Sequence, residues 1–240
     1  METLLKKDRT EIRSSTQPGQ REQLVEVSVF LFLIVPSMVL SFFVIKQGSL
    51  SFVLTAVSTI LRDLALVGLV LFFVWRNGEA VKQLGWTFKG GWTDIVLGIV
   101  LFIPFFYGGN MLENALHAVG LTAPATPTPS FLAAKGASEV LLALVLVAVV
   151  ALAEETIFRG YLILRFKAIS ASPVVAVLLS AVIFSLGHGY EGTAGVVTVG
   201  AMGVAFALVY LWRKSLVAPI VMHFLQDFIG IVLLPLLGIR

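Results

Sequence analysis

The chain has 240 residues, 58% of them hydrophobic and 13% charged, with a mean hydropathy of +0.97 and a formal net charge of +3. Soluble domains carry about 25% charged residues, so this composition excludes one and predicts an all-α, polytopic transmembrane helical bundle. The basic residues are spread along loops, which argues against nucleic acid as a partner, and the lack of Cys excludes disulfides, thiolate metal sites and a cysteine nucleophile.

Residues 1–23 form an expected cytoplasmic tail, with Lys6, Lys7, Arg9, Arg13 and Arg21 set among acids. No cleavable apolar segment precedes them, so the first helix is expected to act as the targeting signal. Residues 24–240 read as a single transmembrane bundle, because no later polar stretch is long enough to fold alone. A span needs about 20 apolar residues. Such runs occur at 24–45, 52–75, 93–112, 139–164, 173–189, 193–212 and 216–237. These predict seven helices, with an eighth if the fourth breaks near Gly160 into a span and a short following helix.

Loop charge sets the expected orientation. With the tail on the same side as the connections after helices two, four and six, that side holds twelve basic residues. Beyond the five of the tail they are Arg76, Lys82, Lys89, Arg165, Lys167, Arg213 and Lys214. The other side holds Lys46, Lys135 and Arg240. The excess predicts a multi-pass protein of the cell membrane with a cytoplasmic N-terminus.

Along the way, Arg62 and Asp63 stand in the middle of the second span. Adjacent residues on a helix do not face each other, so each is expected to find a partner elsewhere or to face water. Locking helix two to the bundle and contacting substrate both remain open. Leu84 to Phe88, followed by Lys89 and Trp92, reads as an interfacial strip. Pro124, Pro127 and Pro129 make 123–130 an extended extracytoplasmic loop. Glu113 and His117, spaced i,i+4 at the end of helix three, read as interfacial, and Gly195, Gly200 and Gly203 in helix six as sites of close packing.

Three polar patterns interrupt the apolar helices within 139–230. They are Glu154-Glu155-Thr156-Ile157-Phe158-Arg159, then Phe184-Ser185-Leu186-Gly187-His188, then His223-Phe224-Leu225-Gln226-Asp227. A charge at mid-membrane costs roughly 3 kcal/mol, against a return of about 0.3 to 0.6 kcal/mol per large apolar residue. Glu155 and Arg159 are spaced i,i+4 and can pair, which leaves Glu154, about 100° away, free to exchange a proton. His223 and Asp227 share a face at the same spacing. Each pattern alone has a plainer explanation: headgroup charges for the first, an interfacial histidine for the second, an interhelical hydrogen bond for the third.

Together and in this order, EExxxR, FxxxH and HxxxN/D resemble the CPBP family of intramembrane endopeptidases, related to type II CAAX prenyl proteases and to bacteriocin self-immunity proteins. The resemblance implies hydrolysis of a peptide bond in a membrane-associated protein or peptide. Glu154, with His188, would activate a water. Glu155 and Arg159, with Phe184, would shape the site. His223 and Asp227 would occupy the place of the oxyanion-stabilising pair. Asp227 departs from the family's asparagine, since an ionised carboxylate only accepts hydrogen bonds. Either Asp227 is protonated, or it orients His223 and leaves that imidazole as the sole donor; orientation is the expected role.

The resemblance implies no cofactor. Zinc is the alternative within the enzyme class, because Glu154, His188, His223 and Asp227 are ligand types that it accepts. A non-enzymatic immunity or scaffold protein and a proton-relay transporter are the other readings. Expected partners are membrane lipid and the substrate; substrate identity and oligomeric state are not readable. One tension is geometric. Measured from the cytoplasmic ends of straight spans, His188 and His223 would differ in depth by roughly 10 Å.

Overall fold

The structure, a computed structural model, describes residues 18–44, 51–122 and 132–238; the proline-rich loop and most of the basic tail lie outside them. The described residues form a helical bundle with no strand. The helices are α1 (Gln20–Val44), α2 (Phe52–Arg76), α3 (Trp92–Ala118), α4 (Ala137–Ser170), α5 (Pro173–Leu186), α6 (Gly192–Arg213) and α7 (Val217–Leu236). Six of the seven are long and apolar enough to cross a membrane.

The exception is α5, which corrects the expected span at 173–189. Ser172 caps it by accepting from Val175 N–H, Pro173 fits its first turn, and it ends at Leu186. Its 14 residues reach about 21 Å, short of the roughly 30 Å of bilayer hydrocarbon. His188 therefore lies just beyond a helix end, between α5 and the short turn Gly189–Glu191.

The fourth helix does not break near Gly160. It runs unbroken to Ser170, passing through a π-helical segment at Glu155–Leu162. Gly160 serves a different purpose: a Cβ there would lie 2.8 Å from the carbonyl oxygen of Leu84. Only glycine lets α4 press on the turn Val81–Leu84. Leu84 is accordingly fully buried, while Trp86, Phe88 and Trp92 stay exposed, as an interfacial strip requires.

Polar contacts tie one end of the bundle together. Arg165 donates from Nε to Glu26 of α1 at 2.9 Å and from Nη1 to Glu79, after α2, at 2.8 Å. Tyr161 Oη and Asn77 Nδ2 donate to the two oxygens of Glu26, each at 2.8 Å. Arg165 is thus a buried ion-pair residue rather than the solvated loop charge expected from the sequence. Arg213 at the end of α6 pairs with Asp94 at the start of α3 at 2.7 Å. At the opposite end, Thr122 and Thr193 exchange backbone-to-hydroxyl bonds. The start of α1 and the connections after α2, α4 and α6 therefore share one end of the bundle.

These contacts remove the difference in depth. Leu216, at the start of α7, donates its N–H to the Gly85 carbonyl and packs at Gly160. The fourth helix continues ten residues beyond Gly160, about 15 Å, before α5 begins its return. So α7 starts about 15 Å deeper than α5, which offsets the longer climb from Pro173 to His188 and brings the two histidines level.

Candidate active site

The site forms where the π-helical turn of α4 meets the end of α5 and the middle of α6 and α7. π segments within α-helices are frequent at functional sites. Here the turn carries Glu155 and Arg159 and follows directly on Glu154. Glu155 is fully buried. Its Oε1 lies 3.0 Å from Arg159 Nη1 and 2.8 Å from His223 Nδ1.

The guanidinium of Arg159 sits between two rings, 4.3 Å from the centroid of Phe184 and 5.2 Å from that of Phe206. Ring faces at this range attract a buried cation, and Glu155 supplies its counter-charge. Phe184 has further neighbours: His188 at 5.0 Å and His223 at 6.0 Å between ring centroids. The two histidines, distant in sequence, meet across one phenyl ring.

His223 is held at Nδ1, so its Nε2 is the edge available to a reacting group. That edge faces two more carboxylates, Asp227 Oδ2 at 3.5 Å and Glu154 Oε2 at 3.8 Å. The carboxylate at hydrogen-bond distance from the ring is therefore Glu155, whereas the sequence reading gives the orienting role to Asp227. With Nδ1–H donating to Glu155, Nε2 can donate only if the ring carries both protons.

Glu154 differs from its neighbour in being partly accessible, with 16% of its side chain exposed against none for Glu155. Its Oε2 is buried without a hydrogen-bond partner. His188 Nδ1 lies 3.2 Å from the Phe184 carbonyl oxygen, which fixes the ring. Among the described residues, no ion pair within 4.0 Å joins His188 to Glu154. Both lie within electrostatic reach of Asp227 and of Glu191.

Phe206, Tyr190, Glu191 and Asp63 complete the surroundings, and none belongs to the three motifs. The ring of Tyr190 is 5.9 Å from that of His188, and Asp63 of α2 lies within electrostatic reach of Glu154 and His223. Arg62 and Asp63 do pair with each other, against the expectation for adjacent helix positions: Arg62 folds back so that Nε and Nη2 each reach Asp63 Oδ1 at 2.9 Å. Only a flexible guanidinium arm permits that. Phe206 gave no signal, being one of 18 phenylalanines; Glu191 was visible only as a lone acid beside an apolar span. Among the described residues, no three His, Asp or Glu side chains converge on a point where a metal ion could sit.

Residues 136–229 match the model of a known family. The matching family is type II CAAX prenyl endopeptidase, Rce1-like. The match bears out the CPBP resemblance carried by the motifs. It covers less than half of the chain, from the start of α4 into α7, and takes in every motif residue. Helices α1 to α3, with Asp63, lie outside the Rce1-like segment. No curated protein and no solved structure matches the chain.

Proposed function

We propose that this multi-pass membrane protein is an intramembrane endopeptidase of the CAAX-protease kind, which hydrolyses a peptide bond of a membrane-associated protein or peptide with a water activated by Glu154 and His188. The observation that carries the reading is the convergence around His223 of one partly open carboxylate, Glu154, and one closed and paired carboxylate, Glu155. An accessible acid and a locked acid on adjacent positions divide proton transfer from structural support.

In the proposed sequence, Glu154 accepts a proton as the water oxygen bonds to the substrate carbonyl carbon. The carbonyl oxygen takes up negative charge, and the outward Nε2 of His223 donates to it when the ring is doubly protonated. The C–N bond then breaks, and Glu154 returns its proton to the leaving nitrogen. Glu155, held by Arg159, fixes the imidazole at Nδ1, while Phe184 separates the two histidines and excludes water from their faces. No cofactor is required by this scheme. The tail and the connections after α2, α4 and α6 would face the cytoplasm of a cell membrane, by the excess of Lys and Arg on that side.

The test is replacement of the two water-activating groups. Glu154→Gln and His188→Ala should each abolish cleavage of a farnesylated CAAX peptide, and of peptides that accumulate in membranes of the Glu154→Gln strain, while insertion and abundance stay at wild-type levels. Collapse of both variants to low abundance would favour interhelical glue instead. Protection from a toxin that persists in both variants would favour an immunity or scaffold role.

A further inference from the structure

Asp63 comes from α2, outside the family match, yet it lies within electrostatic reach of Glu154 and His223. α2 and α4 run parallel. Ala56 of α2 packs in one cluster with Leu146 and Val147 of α4, and farther along Phe73 stacks on Tyr161. That register sets Asp63 level with the turn of α4 that ends at Glu154.

The side chain of Asp63 is 3% exposed. One of its oxygens, Oδ1, takes both bonds from Arg62; the other, Oδ2, is buried with no hydrogen-bond partner. A buried carboxylate oxygen without a donor is costly, and a carboxylate pinned by one oxygen cannot turn away to find one. Arg62 is 52% exposed and stands near the middle of α2, about 15 Å from its start and 21 Å from its end. Of the pair, Asp63 is the member turned into the bundle and Arg62 the one at its surface.

Charge indicates what kind of group that is. Asp63 and Asp227 both lie within electrostatic reach of Glu154, and Glu155 pairs with Arg159 and His223; the fixed cations beside these four acids are Arg159 and Arg62. An enclosed excess of acid favours a cation. Hydrolysis of a peptide bond makes one: the water oxygen stays with the acyl carbon, the C–N bond breaks, and the proton of the new carboxyl passes to the freed amine. The products are a carboxylate and an ammonium.

We propose that Asp63 Oδ2 accepts a hydrogen bond from the newly formed ammonium of the leaving peptide, which makes the α2 side of the site the leaving-group subsite. The proposal rests on the endopeptidase reading and adds to it the identity of the residue that receives the amine product. Arg62 positions Asp63 and does not itself touch the product.

The experiment measures binding rather than turnover. The tripeptide released from the farnesylated CAAX probe is added to the purified full-length protein in detergent, as the free amine and as the N-acetyl form. Wild type should bind the free amine about tenfold more tightly. Asp63→Asn should reduce that preference to near parity, and Arg62→Gln should weaken it. A role confined to locking α2 in place would change thermal stability and leave the amine-to-acetyl ratio unmoved. Equal binding of the two forms by wild type, no binding of the amine form, or a preference that survives in Asp63→Asn would each overturn the proposal. Should Asp63→Asn fail to accumulate, an undiminished preference in Arg62→Gln would overturn the proposal instead. An uncut CAAX probe, by contrast, counts against the endopeptidase reading whichever form binds better.

Discussion

One oxygen of Glu155 serves two partners on different helical turns, Arg159 Nη1 at 3.0 Å and His223 Nδ1 at 2.8 Å. The pair with Arg159 is local to α4; the bond to His223 ties α4 to α7. Glu155→Gln would leave the guanidinium of Arg159 buried without its counter-charge, a loss of about 3–5 kcal/mol. We expect a lower unfolding midpoint in detergent and reduced accumulation, in contrast to Glu154→Gln. Wild-type stability of Glu155→Gln would show that Arg159 is balanced by another acid.

Asp227 stands 3.5 Å from His223 Nε2, close enough to matter and too far for a strong hydrogen bond. Asparagine there can donate an amide N–H towards the same space. Asp227→Asn is expected to keep most activity and Asp227→Ala to lose roughly 100-fold, read as kcat on the CAAX probe. An alanine variant with full activity would remove Asp227 from the mechanism.

Gly160 has no room for a methyl group, since the Leu84 carbonyl would be 2.8 Å from it. Gly160→Ala must push α4 off the turn Val81–Leu84 and should destabilise the protein by about 1–3 kcal/mol. Because α7 starts against the same turn, the variant should also lower kcat. A thermal midpoint equal to that of wild type would refute the tight contact.

Chelation separates the glutamate scheme from its zinc alternative. Activity is expected to persist after dialysis against a strong chelator. Loss of activity that zinc restores would transfer water activation to a metal, with His188, His223 and Glu154 as the first residues to test as ligands.

Much of the architecture was legible in the one-dimensional pattern. Apolar runs located the seven helices because a bilayer accepts only segments that bury their own backbone bonds. Their ends were less legible. The depth at which α4 lies depends on its contact at Gly160 with the Leu84 turn, 76 residues away in sequence.

The motif residues could be picked out because charge is rare and costly in such helices. Their neighbours could not. Sequence spacing tied Glu155 to Arg159 and Phe184 to His188, but no periodicity joins Glu155 to His223, Phe184 to His223, or Asp63 to Glu154. The i,i+1 rule even misdirected Arg62, whose arm is long enough to defeat it.

By itself, then, the sequence determined a membrane-embedded helical bundle with acids and imidazoles on particular turns, because hydropathy and helical period are local properties. Only the tertiary structure decided which acid is closed and which is open, and how two histidines on unequal helices come level. Those outcomes depend on helix register and depth, which arise from contacts between segments far apart in the chain.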